Sequence, residues 1–328
     1  MRMKAFQQDL FPNLNQEELA DPESQVGNSE HVPRFKQWSY SRRDVFEKCQ
    51  RLYYFLYYGA SGRHAKADPQ KQRLKFLKKI SNRHMRAGSI MHRAISCSLR
   101  GRAEGREWSP DFMVDFACKR FQEDLEFSRS YKEGAQLLGD SPALLMEFYY
   151  GIPEAEQHCH EVQEKLARAL RNFQAGEYLP FRAGVDDGQA KIEHRLSLKH
   201  QNVRLLGVVD LAFCKNARAT VVDWKMGDGE GGEDSLQLLT YALWAAQTFG
   251  CRPDHVDLFK AYLGRGTSCL FDLGPKEIVR ATARIAQDVE RMRAVDEYGH
   301  EGVVDAFSPC GQERVCATCV FQGVCPKE

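Results

Sequence analysis

The chain has 328 residues, 43% of them hydrophobic and 28% charged, with a formal net charge of +1. Length and apolar content allow one large α/β domain or two modest ones around a substantial core, and the near-neutral balance by itself gives no sign of a nucleic-acid partner. No apolar run is long enough to span a bilayer, and the N-terminus lacks the basic, apolar and small-residue succession of a secretory signal. The expectation is a soluble, cytoplasmic protein without a membrane partner.

Residues 1–36 are polar, with scattered prolines and acids and little periodicity, and read as a mobile tail. Within it, Gln7-Gln8-Asp9-Leu10-Phe11 resembles the short peptide by which bacterial polymerases and repair proteins dock on the sliding clamp, with Gln7, Leu10 and Phe11 as anchors. The other reading is a tail that packs loosely on its own domain. From Ser39 the pattern is helical and runs through an aromatic stretch ending at Tyr58, with Ser41 as N-cap and Asp44 three residues on as a partial capping box. Cys49 falls on or near this helix. A basic run follows, in which Arg63, Lys66, Lys71, Arg73, Lys75, Lys78, Lys79, Arg83 and Arg86 stand against one acid, Asp68. It is either the solvated face of a helix or a phosphate-binding stripe with Lys75, Lys78, Lys79 and Arg83 as DNA contacts; the second gains weight because the run leads into His92.

Most of 112–180 reads as helix, broken near Gly139 and at Gly151-Ile152-Pro153, and forms a helical insertion. Strand patterning begins near Lys191, where Glu193, Arg195 and Ser197 alternate with Ile192 and Leu196. Val203 to Phe213, a polar break at Lys215 to Arg218, and Ala219 to Met226 complete a three-stranded antiparallel unit. The Gly-rich segment 227–234 is a loop, 236–249 a helix, 256–263 a strand and 274–295 a last long helix.

A two-residue hairpin loop at Asn216-Ala217 pairs residues whose numbers sum to 433 and sets Asp210 opposite Asp223. Facing β-carbons lie about 5 Å apart, so the two carboxylates repel unless a cation compensates them. Hard oxygen ligands favour Mg²⁺ or Mn²⁺, the Trp224 carbonyl can add a ligand, and Lys225 projects from the face of Asp223. An odd-length loop would put the acids on opposite faces. If the preceding hairpin turns at Gln201-Asn202, pairs sum to 403 and Glu193 also faces Asp210. Such a cluster suits phosphodiester hydrolysis, which needs a metal to polarise the phosphoryl oxygen and a cation to place the attacking water.

Gly207-Val208-Val209-Asp210 followed by Val222-Asp223-Trp224-Lys225 is similar to the core motif of the PD-(D/E)XK nucleases. Gly88-Ser89-Ile90-Met91-His92 and Gln237 to Tyr241 resemble the additional marks of the RecB-like branch. The resemblance implies a restriction-endonuclease-like α/β core, a central mixed sheet flanked by helices, and a Mg²⁺- or Mn²⁺-dependent DNA nuclease acting in repair, recombination or defence. It casts Asp210, Asp223 and Lys225 as catalytic and His92 as a metal ligand beside Asp210, Asp223 and Trp224. Glu193 becomes a supporting or second-metal carboxylate, and Gln237 and Tyr241 become DNA contacts or supports of Lys225. The alternative is a noncatalytic DNA-binding or scaffold subunit of a nuclease–helicase complex. No Gly-rich ATP-binding loop is present, so a helicase or other motor would be a separate partner.

Eleven cysteines in a chain without a secretory signal do not suggest a disulfide framework. Cys316-x-x-Cys319-x5-Cys325 with the distant Cys49 offers four thiolates, enough for tetrahedral zinc or an iron–sulfur cluster, and spacing alone does not choose. One cysteine before the nuclease core and three after it resembles AddB-type nucleases and the CRISPR adaptation nuclease. That implies a structural [4Fe-4S] clasp joining the N- and C-terminal parts, with Zn²⁺ as the alternative. Cys97, Cys118, Cys159, Cys214, Cys251, Cys269 and Cys310 lack ligand spacing and read as small buried hydrophobes, although Cys310 can also replace Cys316 in the set. Residues 37–328 then form one nuclease domain, with the insertion at 112–180 and a cysteine tail at 310–328.

Overall fold

The computed structural model describes residues 35–61, 68–132, 142–200, 203–227, 235–271 and 274–326. Gln7, Leu10 and Phe11, with Arg63, Lys66 and most of the 227–234 loop, lie outside the described residues. The folded body begins before the tail boundary expected at residue 36: Phe35 is buried, and the Lys36 carbonyl accepts from Arg204 N–H at 2.9 Å.

Six strands form one mixed sheet: β1 (Gln37–Ser39), β2 (Lys191–His200), β3 (Val203–Lys215), β4 (Arg218–Lys225), β5 (Val256–Tyr262) and β6 (Thr267–Phe271). The order is β1-β3-β4-β5-β6, with β2 also on β3. The pairs β1/β3 and β4/β5 are parallel and the others antiparallel. Both hairpin registers follow the expected sums, as Ile192↔Leu211 and Leu211↔Val222 show. Asn216 and Ala217 have φ of 53° and 59°, the two positive values a type I′ turn requires to match strand twist.

β3 is the longest strand, and its two edges are used differently. One edge pairs with β2 from Val203 to Ala212; the other meets β1 at Arg204 to Leu206 and β4 only from Leu211 onward. Along this second edge the ladder skips Gly207 to Asp210, so backbone groups there need partners that are not strands.

The expected alternation on β2 needs one correction. Leu196 lies in the core on one side of the sheet, whereas Ile192 packs against the core on the other side; Val209 and Leu211 divide in the same way on β3. Equal parity should have kept each pair together. The reason is Glu193, whose φ of 45° turns the strand over between Ile192 and His194.

Helices cover both faces. They are α1 (Tyr40–Lys48), α2 (Gln50–Tyr54, continued by a π-helical turn Phe55–Gly59), α3 (Pro69–Lys78), α4 (Arg83–Ala103), α5 (Pro110–Ser130), α6 (Met146–Tyr149) and α7 (Ala155–Gln174). Then follow α8 (Leu179–Arg182), α9 (Ser235–Phe249), α10 (Pro275–Glu301) and α11 (Glu313–Cys316). The cap of α1 is Ser39 rather than Ser41. Ser39 is extended, and its Oγ accepts Arg42 N–H at 3.2 Å, while Ser41 already lies within the first turn. The helical segment expected at 112–180 does break at Gly151 and Pro153, with Gly151 and Glu154 at positive φ. One core joins β3 and β5 to α9, α10 and the aromatic α2 through Leu205, Leu258, Leu239, Ile285 and Tyr53. The other joins Leu211, Val222 and Trp224 to α4, α5 and α7 through Met91, Phe121 and Phe173.

Candidate metal centre

Helix α4 delivers His92. Asn82 caps it by accepting Met85 N–H at 2.9 Å, and Ala87, Ile90, Met91, Ala94 and Ile95 bury one stripe against the sheet side. His92 stands off that stripe, and at Gly88, one turn earlier, a β-carbon would meet nothing within 4 Å. The His92 Nδ1 lies 3.3 Å from Asp210 Oδ1 and 3.4 Å from Glu193 Oε1. One ligand atom from each of the three falls within 4.8 Å of the others. Burial opposes protonation of His92, but Asp210 and Glu193 outweigh it and hold its pKa well above the ordinary histidine value. Glu193 reaches this position through its left-handed backbone, a conformation that costs a non-glycine residue about 1–3 kcal/mol and that clusters at functional sites.

Asp210 is held from the β4 side. Its Oδ2 accepts Trp224 N–H at 2.8 Å, a side-chain bond beyond the last β3/β4 ladder pair. Asp223 is buried, and its Oδ2 forms an ion pair with Lys225 Nζ at 2.8 Å. Burial first and Asp210 second push the Asp223 pKa up to about 6, against the pull of Lys225 and His92. Asp223 is not one of the three residues whose ligand atoms converge; it stands beside them with Lys225. The Trp224 carbonyl belongs to the backbone between these two, while its ring packs into the α7 core against Phe173, Tyr178 and Phe181.

Gln237 and Tyr241 act on the protein itself. Lys225 Nζ donates to Gln237 Oε1 at 3.4 Å, Gln237 Nε2 donates to Tyr241 OH at 2.9 Å, and Tyr241 OH donates to the Val208 carbonyl at 2.6 Å. Val208 lies in the stretch of β3 that the ladder skips, so Tyr241 replaces the missing strand partner. Burial, then Asp223 and Asp210, raise the Tyr241 pKa well above its usual value and keep the donor neutral. Sequence reasoning missed Lys260, which pairs with Asp223 across the parallel β4/β5 ladder, is 2% exposed and lies 5.0 Å from the centroid of the Phe271 ring. A lysine within the apolar run Leu258 to Leu263 was its only signal.

The basic run divides. Arg83, expected as a DNA contact, donates its guanidinium to buried Glu147 at 2.9 Å, and Arg86 makes two bonds to buried Asp124 at 2.6 and 3.0 Å. Both arginines compensate interior carboxylates. Lys78 donates to the Leu56 carbonyl at 2.8 Å, and Lys79 is exposed at the end of α3. Lys75 is half-buried on the same helix.

The cysteine tail folds back onto the start of the body. Arg51 N–H donates to the Ser308 carbonyl at 3.1 Å, Arg51 Nε to the Phe307 carbonyl at 2.7 Å, and Phe55 packs on Phe321. Cys49 sits at the junction of α1 and α2, where its Sγ accepts Leu52 N–H at 3.4 Å. Burial, then Cys49, Cys325 and Cys316, raise the Cys319 thiol to about 11, against a bond from Phe321 N–H. The four expected ligands lie close enough to act on one another, and two of them accept backbone N–H bonds, but among the described residues their sulfurs do not form a group that converges within 4.8 Å as His92, Glu193 and Asp210 do. Burial first, and the neighbouring Cys310 after it, raise the Cys49 and Cys316 thiols, which places Cys310 beside them.

A family model described as the PD-(D/E)XK nuclease superfamily matches residues 37–326. No curated protein matches the chain. A solved structure titled "Crystal structure of SSO0001" aligns at 14% identity over 64% of this chain and 95% of that one, with a TM-score of 0.29, too low to support an argument.

Proposed function

Because the chain belongs to the PD-(D/E)XK nuclease superfamily, we propose that it is a Mg²⁺- or Mn²⁺-dependent DNA nuclease of the RecB-like branch. The observation that carries this is the convergence of His92 Nδ1, Glu193 and Asp210, from three separate elements, beside the Asp223–Lys225 pair. Together these residues would hold the cation, with Asp223 and the Trp224 carbonyl at its β4 side. A divalent cation bound there polarises the scissile phosphate and lowers the pKa of water.

The remaining steps fall to the chain. Lys225, braced by Gln237 and paired with Asp223, orients the attacking water and offsets charge developing on the phosphate. Tyr241 fixes β3 at Val208 and so keeps Asp210 aimed at His92. Exposed Lys79 and half-buried Lys75 of α3 supply phosphate contacts. Cys49, Cys316, Cys319 and Cys325 hold a [4Fe-4S] cluster, or zinc, with a structural role. The reading includes a single nuclease domain over 37–328 with a helical insertion at 112–180, action in the cytoplasm in repair, recombination or defence, a separate motor partner, and clamp docking through Gln7, Leu10 and Phe11.

The test is cleavage of linear and circular, single- and double-stranded DNA by anaerobically purified protein with Mg²⁺ or Mn²⁺, beside Lys225→Ala. Metal-dependent cleavage by the wild type and none by a folded variant is the expected result. Undiminished cleavage by Lys225→Ala would overturn the site.

A further inference from the structure

Away from the metal centre, α3, α5 and α6 border an open cavity of about 350 Å³ lined by Arg73, Ser128, Tyr131, Phe148, Tyr149 and Tyr150. Four aromatic residues, all partly buried, line it, and among the described residues its charged lining side chain is the exposed Arg73. Ser128 is already engaged, donating to the Asp124 carbonyl at 2.7 Å and accepting Leu145 N–H at 2.9 Å.

The rings are fixed from behind. Phe76 packs on Tyr149 with centroids 5.5 Å apart and on Tyr131 at 6.2 Å, and Tyr149 meets Tyr150 edge-on at 4.9 Å. Tyr150 OH donates to the Val320 carbonyl at 2.7 Å, which ties the wall to the cysteine tail. An aromatic wall beside a guanidinium matches a planar base attached to a phosphate: aromatic rings stack on any nucleobase and the arginine offers the counter-charge.

The cavity is also linked to the metal centre. Glu147 of α6 accepts both the backbone N–H and the guanidinium of Arg83 at the start of α4. His92 lies nine residues along that helix, about 14 Å at 1.5 Å per residue. The start of α4, held to α6 in this way, thus lies on the same helix as the metal-ligand candidate His92.

We propose that this cavity is a base-stacking subsite in which one unpaired nucleobase of the bound DNA strand lies against Tyr131 and Tyr149, with Arg73 on its phosphate. The proposal rests on the DNA-cleaving reading above and adds where the strand is gripped. Binding is measured by fluorescence anisotropy in EDTA, with an end-labelled oligothymidylate and a duplex of equal length, so that no cleavage intervenes.

Stacking contributes about 1–3 kcal/mol per base. Tyr131→Leu and Tyr149→Leu, which keep apolar bulk but remove the ring, should thus weaken single-strand binding about 5- to 150-fold and change duplex binding less than about twofold. Tyr131→Phe should bind like the wild type. A strand carrying 5-iodouracil, irradiated on the wild-type protein, should crosslink to Tyr131, Phe148 or Tyr149, and this arm needs no variant to fold. Unchanged binding by both leucine variants, equal losses on single strand and duplex, or crosslinks confined to other segments would overturn the subsite. Metal-dependent cleavage with no ring-dependent binding would sink the subsite alone. Ring-dependent binding with no cleavage would sink the nuclease reading alone.

Discussion

Ala217→Gly should make the protein more stable and leave the active residues untouched. Ala217 is the second loop residue of the β3/β4 hairpin, with φ of 59°. An L-residue in the left-handed region costs about 1–2 kcal/mol, whereas glycine enters it freely but returns about 0.4–1 kcal/mol through the greater freedom of the unfolded chain. The net gain is about 0.5–1 kcal/mol, a rise in melting temperature of about 1–3 °C for a domain of this size. Asn216→Gly should gain less, since asparagine tolerates this conformation, and Ala217→Val should lose stability because β-branching aggravates the clash. Urea midpoints and calorimetry read all three. A neutral or destabilising Ala217→Gly, or a tolerated valine, would refute the two-residue turn and with it the register that sets Asp210 beside β4.

Three further expectations follow from the site. Tyr241→Phe leaves the part-buried Val208 carbonyl without its donor, which should cost about 0.5–1.5 kcal/mol; urea unfolding at an unchanged m-value checks this, and no loss would mean that water replaces the hydroxyl. Proton and metal compete at His92, whose pKa is raised by Asp210 and Glu193, so Mn²⁺ affinity should rise with pH across the neutral range and binding should release a proton. In the metal-free protein the same pairing stabilises the fold below the ordinary histidine pKa of about 6.5 and fades as pH rises through the higher folded value. Titration calorimetry in two buffers of different ionisation enthalpy reads the proton, and a pH-independent affinity would contradict it. Cys319→Ser should lose the iron and visible absorption of anaerobically prepared protein while Cys310→Ser keeps them; the reverse would make Cys310 a ligand.

How much was legible in the sequence depended on range. The β2–β3–β4 registers were, because side-chain period and loop length fix them locally, and this brought Glu193, Asp210 and Asp223 together before any coordinates. The strands β1 and β6 were not, since three and five residues show no period. The reversal at Glu193 had no signal, because glutamate is not a residue that favours left-handed backbone. Arg83 and Arg86 read as a DNA stripe because their buried partners, Glu147 and Asp124, lie 64 and 38 residues away. The cap of α1 is Ser39 and not the expected Ser41, because composition does not show which residue takes the extended backbone that a cap needs.

The central claim is that His92, Glu193 and Asp210 form a divalent metal centre. Anomalous diffraction from crystals soaked in Mn²⁺, measured at the manganese edge, tests it directly. The account predicts a peak bounded by His92 Nδ1 and the carboxylates of Glu193 and Asp210, lost in His92→Ala. Manganese bound elsewhere, or none at these three residues, would contradict it.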